Sequence, residues 1–468
     1  MAAKSHSIGT AEVGHLGAAR DLFWKIWEGL AARDERGGTQ RAALVAFAIR
    51  VASAGIAYLS QVLMARWMGA FDYGVFVYVW VWVLILGGLS TAGLSVSVIR
   101  FVPEYKERGE PALWRGVVRQ SRVLAVSIST CVALLGLAGI WLLGDLVESH
   151  FVLPAYLALF CLPIYTLTDV QDGIGRAHSW IQLALLPPYV LRPLFILLGM
   201  VAAHAAGLPM EAPTAAGAAI VATWAAGLIQ LSVMEPRLTA ETGHGPRATE
   251  TGRWLRTSLP ILFIYGFELL LQNTDVLVLS RFVAPSEIGV YFAALKTISL
   301  ISFVHYAVGS AVASRLSALN TRGDRAGLAA FVSDAANWTF WPSLAGATAL
   351  LIAGPSLLGF FGADFQSGYP VMFALAAGFL VRAAFGPAEF VLRMLGEERA
   401  CAYVLGGTAL FNIALNVLLV SHYGMMGSAI ATATSLSLAA VVFAIVAWAR
   451  LGLDISVFGA VKRRAADA

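Results

Sequence analysis

The sequence predicts an all-α protein that crosses a membrane about twelve times, with its helices arranged as two six-helix bundles. Composition, recurring apolar runs and an internal repeat support this fold class. Of the 468 residues, 59% are hydrophobic and only 13% are charged, whereas an ordinary soluble domain has roughly 25% charged residues. A chain of this composition cannot bury its apolar surface by folding in water, so we expect a polytopic membrane protein.

Apolar runs of about 20 residues recur from residue 41 to residue 450, and each can cross a hydrocarbon core about 30 Å thick. Span 5 contains Pro187, Pro188 and Pro193, each of which removes a backbone donor, so we expect a kinked or broken helix there. The predicted spans, numbered 1 to 12, begin near residues 41, 74, 121, 153, 179, 212, 257, 287, 334, 369, 401 and 425.

The distribution of Lys and Arg predicts the orientation of these spans. Basic residues concentrate in the N-terminal segment, the even-numbered loops and the C-terminal tail, and such loops stay on the cytoplasmic side. Both termini are therefore predicted to be cytoplasmic. We name the basic side of the bundle the inner end and the opposite side the outer end. This pattern accounts for the net charge of +4 without a nucleic-acid partner.

The spans divide the chain into five predicted segments. Residues 1–40 form a cytoplasmic extension, in which "AARDLFWKIWEGLAAR" predicts an amphipathic helix on the membrane surface; a partner-binding helix is the alternative. The first bundle covers 41–235 and the second covers 257–450. A cytoplasmic linker at 236–256 joins them, and 451–468 is a cytoplasmic tail.

A repeated phrase indicates that the two bundles are copies. "ARWMGAFDYGVF" at residues 65–76 returns as "SRFVAPSEIGVY" at 280–291. Since six spans separate the copies, both halves enter the membrane from the same side, as in the parallel repeats of secondary transporters. An offset of 215 residues is shared by the pairs Arg66 and Arg281, Gly74 and Gly289, and Arg100 and Arg315.

The repeated phrase lies at the outer turns, between spans 1 and 2 and between spans 7 and 8. Asp72 in the first copy, and Ser286 with Glu287 in the second, precede predicted helices, where such residues cap the free N–H groups. Gly74 and Gly289 permit close packing as spans 2 and 8 begin. We therefore interpret the phrase as a tight turn that is present once in each half.

Four basic residues lie near the centres of spans. Each costs about 2.5 to 3.5 kcal/mol at a helix centre in lipid, so they require a wet cavity or a partner. A cationic cavity selects an anion, and Arg and Lys suit the oxygens of a pyrophosphate. The candidate substrate-binding residues are Arg50, Arg192, Lys296 and Arg382.

Acidic residues at depth are candidates for carrying a coupling proton or sodium ion. They are Glu268 and Asp275 in span 7 and Asp169 in span 4. The alternative is structural ion pairing, with Glu268 as the counter-ion of Arg50 or Lys296. His305 in span 8 is expected to be a satisfied core histidine, with its ring nitrogens hydrogen-bonded, in preference to a proton relay.

No metal-ligand spacing, P-loop, nucleotide fingerprint or nucleophile elbow is present. We therefore expect a transporter with no cofactor other than a coupling ion, and we do not expect an enzyme. The alternative from another class is an intramembrane polymerase or ligase of lipid-linked sugars. The short outer loops leave little room for a catalytic site of that kind.

Four blocks resemble the polysaccharide transporter family (Wzx-type flippases) of the multidrug/oligosaccharidyl-lipid/polysaccharide exporter superfamily. The blocks are "ARWMGAFDYGVF" with "GLSVSVIRFVPEYKERGE", "LLLQNTDVLVLSRFVAPSEIGVYFAALKTI", "FFGADFQSGYPVMFALAAGF" and "NIALNVLLVSHYGMMGSAIATATS". The resemblance implies a flippase for undecaprenyl-pyrophosphate-linked oligosaccharides in the bacterial inner membrane, serving surface or exopolysaccharide synthesis. It also implies gradient coupling, polymerase and other assembly proteins as partners, and cationic lumen residues, which the four basic residues would supply.

The chain departs from the family in one respect, because its 40-residue N-terminal extension is longer than expected. Lipid II flippases of the superfamily have fourteen helices, so a count of twelve disfavours that reading. Drug exporters of the superfamily share the twelve-helix duplication and are the alternative within the same fold. Their substrates are mostly cations, which a cavity with four basic residues should repel.

Overall fold

The computed structural model describes residues 35–143, 148–457 and 459, and all regular structure in these ranges is helical. The predicted amphipathic helix before residue 34 and the end of the tail lie outside the described residues. Helices long and apolar enough to span a membrane recur throughout these ranges.

The first half contains spans 1 to 6. Spans 1 and 2 share one helical run that turns at Gly69, where φ is +76°, a conformation that favours glycine. Span 4 is bent by 49° between its two helices. The helices are Glu35–Ser90 and Leu94–Glu107 (spans 1 and 2), Pro111–Leu143 (3), Ser149–Leu159 and Leu162–Ala177 (4), Ile181–Leu186 and Arg192–Ala205 (5), and Ala212–Thr242 (6).

The second half contains spans 7 to 12. Spans 11 and 12 again share one run, which turns at Gly424, where φ is +54°. The helices are Thr251–Phe282 (span 7), Pro285–Ile298 and Ser302–Arg322 around a 3-10 turn at Ser299–Ile301 (8), Arg325–Phe361 (9), Tyr369–Ala384 and Ala388–Met394 after a 3-10 turn at Ala363–Gly368 (10), and Glu398–Leu451 (11 and 12).

The described residues therefore contain the twelve predicted crossings, once the two long runs are divided at Gly69 and Gly424 and the bent pair is counted as one. The expected irregularity in span 5 is confirmed as a π-helical turn at Pro187–Leu191. Spans 3 and 9 begin at Pro111 and Arg325, about ten residues before their predicted starts. Charged residues interrupt the apolar run near these starts, namely Arg115 and Arg119 in span 3 and Arg325 and Asp334 in span 9, so hydropathy detects only the later part of each helix.

The repeated glycines meet each other at the outer end. A Cβ atom on Gly74 would lie 1.7 Å from the carbonyl oxygen of Pro285, and one on Gly289 would lie 2.5 Å from that of Ala70. Spans 2 and 8 thus touch backbone to backbone, and no larger residue fits at either position. The repeated phrase forms the contact that closes the outer end between the two halves.

The capping prediction for the repeated phrase is wrong. The Asp72 carboxylate accepts a hydrogen bond from the backbone N–H of Ala212 at 2.9 Å, so it caps the start of span 6 and not its own helix. The helix of span 8 begins after Ala284 with no side-chain cap, so Ser286 and Glu287 do not serve as its N-cap. Only tertiary packing brings Asp72 to span 6.

At the inner end, the first turns of span 7 are attached to span 2. The buried Trp254 indole donates to the Tyr105 hydroxyl at 2.8 Å, and Tyr105 donates to the Glu250 carboxylate at 3.0 Å. Arg253 pairs with Glu104 at 2.7 Å. Hydrogen bonds from Arg253 and Tyr105 lower the pKa of the Glu250 carboxyl. This region of span 7 therefore packs as part of the first half.

Candidate functional site

Arg50 and Arg192 lie over aromatic rings of the first half. The Arg50 guanidinium carbon lies 5.2 Å from the centroid of the Tyr189 ring. That of Arg192 lies 4.8 Å from the Tyr165 ring and 5.8 Å from the Trp80 ring. Within the described residues, neither arginine has a carboxylate within 4.0 Å. Cation–π contacts stabilise both charges and leave their guanidinium donors available for an anion.

The irregular turn in span 5 positions two of these side chains. Pro187 and Pro188 open the π-helical turn, and Tyr189 and Arg192 follow within it and directly after it. Prolines lack the N–H that a continuous α-helix uses, and single π-turns occur frequently at functional sites. The prolines thus place the Tyr189 ring and the Arg192 guanidinium toward spans 1, 2 and 4.

Span 4 brings two carboxylates to the same region. Arg176 Nε donates to Asp172 Oδ1 at 3.0 Å, and Arg50 lies in the electrostatic neighbourhood of Asp172. Asp169 lies close to Arg192 and Asp172, and its buried Oδ2 atom has no hydrogen-bond partner. With three arginines and two aspartates, this first cluster is net cationic even when both carboxylates are ionised.

A second cluster lies in spans 7 and 10. Arg393 is ion-paired with Glu268 and also contacts Glu389, with Nη2 at 2.7 Å from Oε1. Arg382 lies 3.8 Å from the other oxygen of Glu389. The counter-ion of Glu268 is therefore Arg393, and neither Arg50 nor Lys296 has that role. For Arg382, the structure favours a structural ion pair with Glu389 over a free cation that binds substrate.

The two clusters contain a repeated ion pair. Asp172 and Arg176 in span 4 match Glu389 and Arg393 in span 10, with the same spacing of four and the same offset of 217 residues. The first span of each half supplies one further charge to its cluster. This charge is positive in the first half, where span 1 supplies Arg50, and negative in the second half, where span 7 supplies Glu268. The duplication thus extends to charged side chains, whereas the first cluster is net cationic and the second, with two arginines and two glutamates, is neutral.

Asp275 lies apart from both clusters. It is only 3% exposed, and its carboxylate accepts a hydrogen bond from the Tyr291 hydroxyl at 2.8 Å. Lys296 is an electrostatic neighbour of Asp275 but lies beyond ion-pair distance, with its Nζ atom 4.8 Å from the Phe292 ring centroid. Asp275 is therefore a buried carboxylate with a hydrogen-bond donor and no direct counter-ion among the described residues.

Buried amide and hydroxyl groups of spans 11 and 12 lie beside the Asp275–Tyr291 pair. Ser428 Oγ donates to Asn416 Oδ1 at 2.8 Å, and Asn412 Nδ2 donates to Ser435 Oγ at 3.1 Å. Tyr291 lies within interaction range of Ser428. Asp275 therefore borders an oxygen-rich interior region formed by four spans.

Tyr265 lies between the two charged clusters. Its electrostatic neighbours include Asp169 of the first cluster and Glu268 of the second. The repeat offset of 215 residues places Tyr265 at the position that Arg50 has in the first half. Both clusters therefore lie within electrostatic range of this one residue. Within the described part of the chain, no three His, Cys, Asp or Glu side chains converge on a point where they could hold a metal ion.

Sequence comparison places this architecture among known proteins. Residues 40–314 match a family model described as "Polysaccharide biosynthesis protein". The chain is 21% identical over 411 residues to a probable low-salt glycan biosynthesis flippase, Agl15, of Haloferax volcanii. The aligned region covers 86% of this chain and 82% of Agl15.

Solved structures share the fold at low sequence identity. A lipid II flippase, MurJ, in an inward closed conformation superposes with a TM-score of 0.70 at 15% identity, over 86% of this chain and 87% of that one. An inward-facing multidrug resistance MATE transporter of the MOP superfamily also gives 0.70, at 14% identity, over 87% and 98%. These structures confirm the predicted fold. The proteins to which the chain is similar are flippases and transporters.

Proposed function

Because the chain belongs to the polysaccharide biosynthesis protein family, we propose that it is a flippase for undecaprenyl-pyrophosphate-linked oligosaccharides. In this proposal it acts in the bacterial inner membrane, carries the glycan from the inner to the outer leaflet, and supplies surface or exopolysaccharide synthesis. The relative named as a glycan biosynthesis flippase supports this substrate class. The polymerase and assembly proteins that use the product are the proposed partners.

The observation that carries the proposal is the pair of arginines without carboxylate partners. Arg50 and Arg192 rest on the rings of Tyr189 and Tyr165, and among the described residues neither guanidinium forms a direct ion pair. A pyrophosphate offers oxygens that match planar guanidinium donors. Arg382 has Glu389 beside it, and Lys296 offers a single ammonium group without a planar donor pair, so we assign those two basic residues a secondary role.

Alternating access gives the substrate a route across the membrane. The halves are repeats that meet at the outer end through Gly74 and Gly289. Separation of this contact, by rocking of one bundle against the other, would open the interior to the outer leaflet. The pyrophosphate head and sugars travel through the interior, and the lipid tail stays in the bilayer.

A proton or a sodium ion, held at Asp275, is our proposal for the coupling ion. Among the residues that the structure describes, Asp275 has no ion pair, whereas Glu268 is already paired with Arg393. A carboxylate can exchange a cation during the cycle only if no fixed arginine holds it. Asp169 is the second choice, because its Oδ2 atom is unpartnered while Arg192 lies nearby.

Deletion of the gene in its native host tests the proposal against an enzyme and against a drug exporter. We expect lipid-linked oligosaccharide of unchanged sugar composition to accumulate on the inner leaflet, as measured by mass spectrometry and by protection from an external glycosidase. An altered or truncated oligosaccharide would indicate a lost transferase or polymerase. Normal glycan export with increased sensitivity to cationic drugs would indicate an exporter.

A further inference from the structure

A small chamber between spans 8, 9 and 10 contains polar groups that the proposed transport mechanism does not use. Its volume is about 10 Å³, approximately the space that the centre of one water molecule requires. Ser302 and His305 of span 8, Ser343 of span 9 and Arg382 of span 10 line it, together with apolar side chains of spans 8 and 10.

Three polar atoms in the chamber wall have no hydrogen-bond partner within the described part of the chain. His305 is 6% exposed and Ser343 is 1% exposed. Both imidazole nitrogens of His305 and the Ser343 hydroxyl oxygen are buried and unpaired. Buried polar groups in proteins are nearly always paired, with protein or with ordered water. The sequence predicted that His305 would be hydrogen-bonded in the core, but no described protein group bonds to either of its ring nitrogens.

We propose that the chamber binds one water molecule, which hydrogen-bonds to His305, Ser343 and Arg382. A neutral imidazole presents one donor and one acceptor, and a serine hydroxyl presents both. Water can accept from the guanidinium and from one neighbour while it donates to the other. A chloride ion is larger than water and cannot donate, so it fits neither the volume nor the acceptor nitrogen.

The water extends the second charged cluster to two more helices. Arg382 contacts Glu389, and Arg393 joins Glu389 to Glu268. With the water in place, the series of ion pairs and hydrogen bonds that begins on span 7 reaches His305 on span 8 and Ser343 on span 9. The proposal is independent of the transported substrate, because it concerns only the interior of the second half.

Serine-to-alanine substitution separates a hydrated chamber from a dry one, and span 9 offers a matched control. Ser333 is also buried, at 2% exposure, and also has an unpaired hydroxyl, but it does not line the chamber. Removal of a hydroxyl that binds water loses a hydrogen bond, whereas removal of an unpaired buried hydroxyl is neutral or stabilising.

In full-length protein in nanodiscs, we expect Ser343→Ala to lower the Tm by about 2 °C or more and Ser333→Ala to leave it unchanged or raise it. His305→Gln, which keeps a donor and an acceptor, should retain more of the Tm than His305→Leu. A cryo-EM map should show one density peak within hydrogen-bond distance of His305 and Ser343. An empty chamber in the map, or an equal Tm change in the two serine variants, would overturn the proposal.

Discussion

Arg192 is the basic side chain whose surroundings best suit a substrate phosphate. It is half-buried, lies over the rings of Tyr165 and Trp80, and follows the π-helical turn that orients it. No described carboxylate lies within 4.0 Å of its guanidinium, so binding of an anion would stabilise this half-buried positive charge. Its role can therefore be tested with a single substitution.

Arg192→Ala is expected to reduce glycan export by about tenfold or more, since a hydrogen bond to a charged group contributes about 1.5–3 kcal/mol. Arg192→Lys should retain part of the activity, because the charge remains while the planar donor pair is lost. Export is measured by surface glycan labelling at matched protein levels. Arg66→Ala at the exposed outer turn is the control. Export at the level of the original chain in Arg192→Ala would remove this residue from the substrate site.

Asp275→Asn is expected to make export insensitive to the ion gradient while the protein still folds, since asparagine keeps the acceptor for the Tyr291 hydroxyl. Flipping would be measured in proteoliposomes with imposed proton and sodium gradients, one at a time. The exposed Asp334 supplies the control Asp334→Asn. If Asp275→Asn retains the full gradient response, and Asp169→Asn or Glu268→Gln loses it, the coupling role belongs to the latter residue.

At the residue scale, the sequence predicted the deep charges but not their pairing. The roles of Arg176 and Arg393 were missed because both residues lie near the inner ends of spans. Basic residues are common at that end of a membrane helix, so these two did not stand out in the sequence. A signal was present, since Asp172 and Glu389 each precede an arginine by four residues on a helix, a spacing that places the charges side by side. The link from Arg393 to Glu268 depends on how spans 7 and 10 pack, which no local pattern records.

At the element scale, the outer turns act as a contact between the halves. Gly74→Ala would place a methyl group 1.7 Å from the Pro285 carbonyl oxygen, which the backbone can accommodate only by separating spans 2 and 8. We therefore expect this variant to shift the population toward a state that is open at the outer end.

Spin labels at the exposed positions Phe71 and Ala284 would report this shift as a longer distance in double electron–electron resonance. Gly139→Ala in span 3 is the matched control, because nothing lies within 4 Å of the added methyl group. An unchanged distance distribution in Gly74→Ala would mean that this contact does not control the outer end.

The sequence predicted most elements correctly because the relevant physics is local. The lengths of the apolar runs predicted the membrane spans, and the prolines of span 5 predicted its irregular turn. Asp72 shows the limit, since its position before a helix predicted a local cap, whereas the carboxylate caps span 6 at Ala212. The attachment of span 7 to span 2 through Tyr105 and Trp254 is likewise tertiary, and composition gives no sign of it.

At the scale of the whole molecule, the two halves share a fold but differ in charge. The repeated ion pairs of spans 4 and 10 acquire Arg50 in the first half and Glu268 in the second. The first half thus offers positive charge for an anionic head group, and the second half holds its acids in pairs or in the buried region of Asp275. In the proposed mechanism, the first bundle binds the substrate and the second responds to the coupling ion.

Direct measurement of flipping tests the central claim, that the protein carries a pyrophosphate-linked oligosaccharide across the membrane with the help of Arg50 and Arg192. Purified protein would be reconstituted in vesicles with a fluorescent undecaprenyl-pyrophosphate oligosaccharide, and the fraction of label protected from an external quencher would be followed over time. The account predicts protein-dependent flipping that requires the pyrophosphate, is lost in the Arg50→Ala, Arg192→Ala double variant and persists in Arg66→Ala. Equal flipping of an otherwise identical lipid without phosphate, or full activity of the double variant, would contradict it.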